Sequence, residues 1–97
     1  MRTIKFRGRE KTKAGNLIYG NYARYQYTDD GVEGDFITNI RGEGLLVHSD
    51  SVAQLVGVDR NGNEVYEGDV VTNPRDGTTF KAAMNHIYTV KSYTLKD

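Results

Sequence analysis

The sequence has 97 residues, with 13 basic and 13 acidic side chains and a formal net charge of zero. A chain of this length fits one domain and buries about two-thirds of the surface that its unfolded form exposes, so we expect one modest core and no deep enclosed pocket. The absence of cysteine excludes disulfides, thiolate metal sites and cysteine nucleophiles, and it fits a reducing cytoplasm. No stretch approaches the roughly 20 apolar residues of a membrane-spanning helix, and no apolar segment follows the basic N-terminus as in a signal peptide.

The first quarter of the chain is predicted to form two strands. Residues 2–9 alternate, with Ile4 and Phe6 on one face and basic side chains on the other. The basic outer side of this strand carries Lys5, Arg7 and Arg9. A loop over residues 11–16 leads to a second strand, residues 18–28, in which tyrosines occur on both faces.

The middle of the chain is predicted to contain a hairpin and one ambiguous segment. Residues 29–35 form a polar loop, and residues 36–48 form a hairpin around the Arg41–Gly44 turn. Ser51 and Gln54 match a capping box and Gly57 suits the residue after a helix, so we predict one short helix near residues 51–56. The alternative is a strand that begins at Gln54.

Two turn signals organise the remaining residues. Asn61-Gly62 predicts a type I′ hairpin turn, because both residues tolerate positive φ. Pro74 to Gly77 predicts a second turn. Strands are expected over residues 78–84 and 86–95. The fold prediction is therefore a mainly β chain, one small antiparallel barrel-like domain over residues 1–97.

The stretch NGNEVYEGDVV, residues 61–71, contains two acids separated by a glycine. Glu67 and Asp69 would share one face of a regular strand, where paired carboxylates could act as acid and base. Gly68 breaks that regularity, since glycine is the residue expected where the backbone turns through positive φ. We therefore predict a corner in which Asp69 accepts hydrogen bonds from backbone N–H groups.

The charges are unevenly distributed along the chain. Six basic residues and one acid lie in residues 1–13, whereas residues 29–50 hold six acids and one arginine. A basic N-terminal strand can bind a polyanion, and the residues predicted to do so are Lys5, Arg7, Arg9 and Arg24. The interpretation we prefer is that the two segments are neighbours in space and partly neutralise each other, because a chain of zero net charge steers a charged ligand only weakly.

Other constellations give no catalytic or metal-binding prediction. Asp59-x-Asn61-x-Asn63 begins like a calcium loop, but Glu64 and Val70 stand where that loop needs glycine and a bidentate glutamate. The acidic loop before residue 36 is interpreted as solvated. His48, beside Ser49 and Asp50, cannot converge with them on an extended chain and is interpreted as a histidine at a strand end. We predict no cofactor and no metal.

Four blocks of the sequence carry a resemblance to known proteins. They are MRTIKFR (residues 1–7), Tyr19-Gly20-Asn21, SVAQLVG (residues 51–57) and NGNEVYEGDVV, in which Asn61, Gly62, Tyr66, Glu67, Gly68 and Asp69 form the most specific block. Together these blocks resemble the YopX family of phage and prophage proteins. The chain departs from the family at Ala53, Leu55 and Val56 and throughout the segment after Pro74. The resemblance implies a mostly β protein, for which an SH3-like second half is predicted, and it brings no established activity.

These observations lead to one functional prediction and two alternatives. We predict a non-enzymatic accessory protein of a phage, prophage or other mobile element, located in the cytoplasm of its bacterial host. It would act as an interaction module for a protein partner or assemble as a homo-oligomer, away from the membrane. The first alternative is a nucleic-acid-binding protein that uses the basic N-terminal strand. The second is a hydrolase that uses Glu67, Asp69 and a histidine.

Overall fold

The computed structural model describes residues 4–12, 14–25 and 34–96, and the chain divides into two compact units, residues 1–53 and 54–97. Each unit is built from short antiparallel strands, which confirms the predicted mainly β class. The strands are β1 (Phe6–Arg9), β2 (Leu17–Tyr25), β3 (Gly34–Thr38), β4 (Gly44–Val47), β5 (Ala53–Val58), β6 (Glu64–Tyr66), β7 (Val70–Thr72), β8 (Thr79–Lys81) and β9 (Thr94–Leu95). Short 3₁₀ segments cover Ser49–Ser51, Met84–His86 and Val90–Ser92. Two compact units can belong to one domain, so the single domain over residues 1–97 stays a prediction.

The first unit is an antiparallel arrangement in the order β4-β3-β2-β1. The long strand β2 uses its two halves differently: residues 17–20 pair with β1, and residues 21–25 pair with β3. Its core contains Ile37 and Val47, which are fully buried. Gly8 lies against both, since a Cβ at this position would lie 2.9 Å from Ile37 Cδ1 and 3.1 Å from Val47 Cβ. The missing side chain of Gly8 thus makes room for the core.

The second unit packs a hairpin and a three-stranded sheet around a core of small β-branched residues. β5 pairs with β6, and β7 lies between β8 and β9. The buried core consists of Val56, Val65, Val71, Ala82 and Val90, with Phe80, Met84, Tyr93 and Leu95 packed against it. Valine is both a strong strand former and a stiff side chain, so this composition favours strands and fills a small volume at low entropic cost.

The structure corrects five expectations, the last of which is the type of one turn. Within the described residues the strands form open sheets, and no ladder closes the second unit into a barrel, because the β5–β6 hairpin and the β7–β8–β9 sheet pair separately. The predicted polar loop over residues 29–35 ends earlier, since Asp35 lies in β3 and is buried, while residues 29–33 lie outside the described residues. The predicted strand over residues 86–95 is mostly turns and 3₁₀ segments, and only Thr94–Leu95 is a strand.

The fourth correction concerns the predicted helix near residues 51–56, which is a 3₁₀ turn followed by β5. Ser51 Oγ donates to His48 O and accepts from Arg9 N–H, so it does not cap a helix. The Gln54 N–H donates to Glu67 Oε1 at 2.9 Å, and Gly57 lies within the strand. Tertiary hydrogen bonds therefore override the local capping signal, and the alternative of a strand from Gln54 is confirmed.

Both predicted turns are present, but the first has another type. Hydrogen bonds from Asp59 N–H to Asn63 O and from Gly62 N–H to Asp59 O close the β5–β6 hairpin. Gly62 has a φ of 88°. A type I′ turn also needs a positive φ at Asn61, but among the described residues only glycines have positive φ. Asn61 therefore does not fit type I′. A turn followed by one left-handed glycine is the usual longer hairpin loop. The turn at residues 74–77 is confirmed by the hydrogen bond from Asn73 N–H to Thr78 O.

Asp59 is a buried carboxylate that connects the hairpin turn to the last strand. It is 5 % exposed, and it accepts hydrogen bonds from the N–H groups of Asn61, Asn63 and Leu95 at 2.8, 2.9 and 2.8 Å. Burial alone would raise the pKa of Asp59, but these backbone hydrogen bonds outweigh it and lower the pKa. The residue that resembles the start of a calcium loop is therefore an internal acceptor.

Replacing Asp59 by asparagine should destabilise the protein by about 1–3 kcal/mol, because one carboxylate oxygen becomes an NH₂ group that cannot accept a hydrogen bond from a buried N–H. Urea denaturation followed by circular dichroism would measure the change. The matched control is Asp50→Asn, which removes the same charge from an exposed position in the 3₁₀ turn. Equal stability of the two variants would contradict the role of Asp59.

Candidate functional site

A groove on the first unit gathers exposed apolar side chains. Among the described residues, its lining includes four large apolar side chains that are exposed, Ile4, Leu17, Tyr19 and Ile40. Their exposed fractions are 66 %, 40 %, 39 % and 101 %. The groove has a volume of about 580 Å³, and its polar lining includes Lys5, Asn21 and Asn39. Single exposed apolar residues are common on proteins, but a contiguous group of them marks an interaction surface.

The turn between β3 and β4 places Ile40 in solvent. Asn39 N–H donates to Glu43 O, Gly42 N–H donates to Asn39 O, and Asn39 Oδ1 accepts from the N–H groups of Arg41 and Glu43. This Asx-type arrangement fixes the backbone on both sides of Ile40. An isoleucine held at the tip of an ordered turn cannot reach the core, so its exposure is built into the local backbone.

Gly20 positions β2 against the end of β3 and so shapes the floor of the groove. Its φ is 157°, and a Cβ at this position would lie 1.9 Å from Thr38 O. It is also the last residue of β2 that pairs with β1, immediately before Asn21 pairs with Thr38. The Tyr-Gly motif noticed in the sequence therefore marks a close backbone approach.

The Glu67-Gly68-Asp69 stretch is the predicted corner. Gly68 has a φ of 88°, and Asp69 N–H donates to Tyr66 O. Asp69 Oδ2 accepts from Tyr66 N–H at 2.9 Å, and Glu67 Oε1 accepts from Gln54 N–H at 2.9 Å. The prediction that Asp69 accepts a backbone hydrogen bond at this corner is confirmed. Glu67, for which no such bond was predicted, accepts one from β5.

The other residues of that block also hold the fold. Tyr66 is buried, and its hydroxyl donates to Glu64 Oε1 at 3.0 Å. Asn61 and Gly62 lie in the hairpin turn that Asp59 organises. The block NGNEVYEGDVV thus encodes a hairpin, a core strand and a turn.

The four basic residues predicted to bind a polyanion do not form one cluster. Lys5 Nζ lies 5.7 Å from the centroid of the Tyr19 ring, and Arg7 pairs with Tyr19 across β1 and β2. Arg9 donates through its guanidinium to Gly15 O at 2.6 Å. Arg24 forms an ion pair of 2.9 Å with Asp35 and lies five residues from Tyr19 along β2, roughly 17 Å away. Nucleic-acid binding through these residues stays a prediction.

Asp35, which is interpreted from the sequence as part of a solvated acidic loop, is buried in β3 instead. It is 4 % exposed and accepts hydrogen bonds from the Tyr22 hydroxyl and from Arg24. The hydrogen bond from Tyr22 is the main reason that the pKa of Asp35 is lowered, and the same bond raises the pKa of Tyr22. The register that pairs Arg24 with Asp35 brings the three side chains together. The pairing of β2 with β3 creates this cluster, and no local sequence motif predicts that pairing.

Neither histidine is among the residues that line the groove. His48 is exposed and directly follows β4, which confirms its predicted position at a strand end. His86 Nδ1 accepts from Ala83 N–H at 3.0 Å, and the ring centroid of His86 lies 4.5 Å from that of Phe80. The three members of the acidic loop Asp29, Asp30 and Glu33 lie outside the described residues. Among the residues that are described, no three acidic or histidine side chains are grouped as metal ligands.

None of the helical segments in the described part of the chain has the length and apolar character needed to cross a membrane. Compared with known proteins, the chain matches no family model, no curated protein and no solved structure.

Replacing Gly20 by alanine should destabilise the first unit by more than about 2 kcal/mol, because the new Cβ would collide with a backbone carbonyl at a φ that alanine rarely adopts. The matched control is Gly44→Ala on β4, where a Cβ would make only an ordinary 3.8 Å contact with Thr38 Oγ1. Chemical denaturation of both variants would measure the difference. A Gly20→Ala variant as stable as Gly44→Ala would show that β2 does not depend on this close approach.

Replacing Tyr22 by phenylalanine should destabilise the protein by about 1 kcal/mol, the usual net contribution of one hydrogen bond, because Asp35 loses this donor and keeps its hydrogen bond from Arg24. Since the folded pKa of Asp35 is lowered, its stabilising contribution is present above the unfolded pKa of about 3.9 and is lost as the pH falls through the folded pKa. The difference in unfolding free energy between wild type and variant should therefore shrink below about pH 4. Tyr88→Phe, at an 81 % exposed site, is the control.

Proposed function

We propose that this protein is a non-enzymatic interaction module, and that the groove lined by Ile4, Leu17, Tyr19 and Ile40 is its docking surface for a protein partner. The observation that supports this most directly is the clustering of exposed large apolar side chains on one groove. In keeping with the sequence resemblance, we propose that it is an accessory protein of a phage or prophage that works in the cytoplasm of the bacterial host.

The composition of the groove fits a protein ligand. Interface centres are enriched in apolar and aromatic side chains that are surrounded by a polar rim. Here Leu17, Tyr19 and Ile40 supply the apolar centre, and Lys5 and the two asparagines supply polar atoms around it. Covering such side chains stabilises a complex by about 25 cal/mol for each Å² of apolar surface removed from water.

The groove is also ordered before any partner binds. Gly20 fixes the close approach of β2 to the end of β3, and the Asn39 turn fixes the backbone around Ile40. A preformed surface loses little conformational entropy on binding, so more of the gain from apolar burial becomes affinity.

The groups considered for catalysis have other roles. Glu67 and Asp69 accept backbone hydrogen bonds on different segments, and His86 accepts one from Ala83. A general base must have a lone pair directed at a substrate proton. These contacts favour an interaction module over the hydrolase that the sequence alone left as an alternative.

Replacing Leu17 and Ile40 together by threonine should weaken partner binding by at least about tenfold, because both apolar contacts at the centre of the groove are lost. Both positions are exposed, where substitutions usually change stability little, so the fold should be retained. The matched control is Val58→Thr, which alters an exposed apolar residue outside the groove. Affinity capture from lysates of the bacterial host, with quantitative mass spectrometry, would compare the wild type, the groove variant and the control. Light scattering after gel filtration would measure the self-association of the same three forms.

The proposal predicts a partner, or a second copy of the chain, that is lost in the groove variant and kept in the control. The same proteins captured by all three forms, together with a monomer in every case, would contradict it.

A further inference from the structure

A second cavity, in the second unit, is lined by cations. It has a volume of about 470 Å³, and three separate segments contribute Arg60, Arg75 and Lys91 to its lining. The neutral polar side chains in the lining are Asn73, Ser92 and Tyr93. No carboxylate is among the lining residues, all of which belong to the described part of the chain.

The three cations of the cavity are not paired with acids among the described residues, where Arg60, Arg75 and Lys91 make no ion pair. Lys91 Nζ lies 5.5 Å from the centroid of the Tyr88 ring. The side chains of all three are exposed, so they are accessible to a ligand in solution. Three like charges around one cavity repel each other, and an anion placed between them would relieve that repulsion.

The acids next to these cations in the sequence are directed elsewhere. Asp59 accepts hydrogen bonds from Asn61, Asn63 and Leu95, and Asp76 Oδ1 accepts from the N–H and the hydroxyl of Thr78 at 3.0 and 2.7 Å. Both carboxylates hold their turns in shape. They therefore stabilise the loops that carry the arginines without forming ion pairs with them.

Backbone hydrogen bonds fix the positions of the three segments. Arg60 N–H donates to Tyr93 O at 2.9 Å, which joins the hairpin turn to the residue that follows the last 3₁₀ segment. Arg75 N–H donates to Asn73 Oδ1 at 2.9 Å, and Gly77 N–H donates to Asn73 O at 2.8 Å. The cations project from ordered turns, which lowers the entropic cost of gathering them around a ligand.

We propose that this cavity binds a small phosphorylated molecule, with the phosphate held by Arg60, Arg75 and Lys91. A guanidinium presents two parallel N–H donors that match two oxygens of a phosphate, and an ammonium adds a compact charge. Its volume lies within the range of about 300–1,000 Å³ that small-molecule sites occupy. This site is independent of the apolar groove, because it uses different residues of the other unit.

The test is a titration of the ¹⁵N-labelled full chain with inorganic pyrophosphate and with a mononucleotide, followed by NMR. We expect saturable shifts of the backbone signals of Arg60, Arg75, Lys91 and Ser92. Arg60→Gln and Arg75→Gln should each weaken binding about tenfold, the effect of losing a charge-assisted hydrogen-bond pair. Arg60→Lys should also weaken it, because lysine keeps the charge and loses the paired donors.

Lys91→Gln removes one charge from the lining of the cavity and should weaken binding. Its matched control is Lys81→Gln, which removes one charge from an exposed strand residue that does not line the cavity. Each spectrum also reports whether the variant is folded. Shifts that do not saturate, or equal weakening by Lys81→Gln and Lys91→Gln, would overturn the site. Saturable binding of a single-stranded oligonucleotide without binding of pyrophosphate or the mononucleotide would overturn the small-molecule ligand.

Discussion

The second unit depends on the burial of one carboxylate, Asp59. A buried charge is costly unless hydrogen bonds replace the water that it has lost. The N–H groups of Asn61 and Asn63 come from its own turn, but the Leu95 N–H lies 36 residues away in sequence, so the requirement is satisfied only when β9 returns to the hairpin. That return also brings Tyr93 O to Arg60 N–H. One electrostatic requirement therefore closes the unit and fixes one side of the cationic cavity.

The first unit solves a different problem, which is how one strand can serve two neighbours. β2 pairs with β1 through residues 17–20 and with β3 through residues 21–25, and the change falls at Gly20. The register of the second half places Arg24 beside Asp35, where Tyr22 completes the set of hydrogen bonds. The first half presents Leu17 and Tyr19 to solvent. The stabilising polar cluster and the apolar groove are thus two consequences of one strand whose two halves pair with different neighbours.

The features that could be predicted from the sequence are those coded within a few residues. The turn at Glu67-Gly68-Asp69 follows from a glycine between two acidic residues, and the β3–β4 hairpin follows from its alternation and glycines. Features that depend on distant partners could not be predicted in this way. The capping signal at Ser51 is overridden by Arg9 and Glu67, and the burial of Asp35 depends on strand register. The exposure of Ile40 had a local signal, an apolar residue in a turn between an asparagine and a glycine, which an alternation pattern does not capture.

The distribution of acids and bases connects the fold to the proposed ligands. Asp59, Glu67, Asp69 and Asp76 all accept backbone hydrogen bonds, so N–H dipoles partly compensate their charges at turns. Arg60 and Arg75 lie in the same turns and donate hydrogen bonds through their backbone N–H groups. Their side chains form no ion pair with any described residue. A chain of zero net charge can therefore present a locally cationic cavity, because its acids stabilise the fold while neighbouring cations face solvent. Net charge alone misses this asymmetry, which arises from the different hydrogen-bonding roles of carboxylates and guanidinium groups.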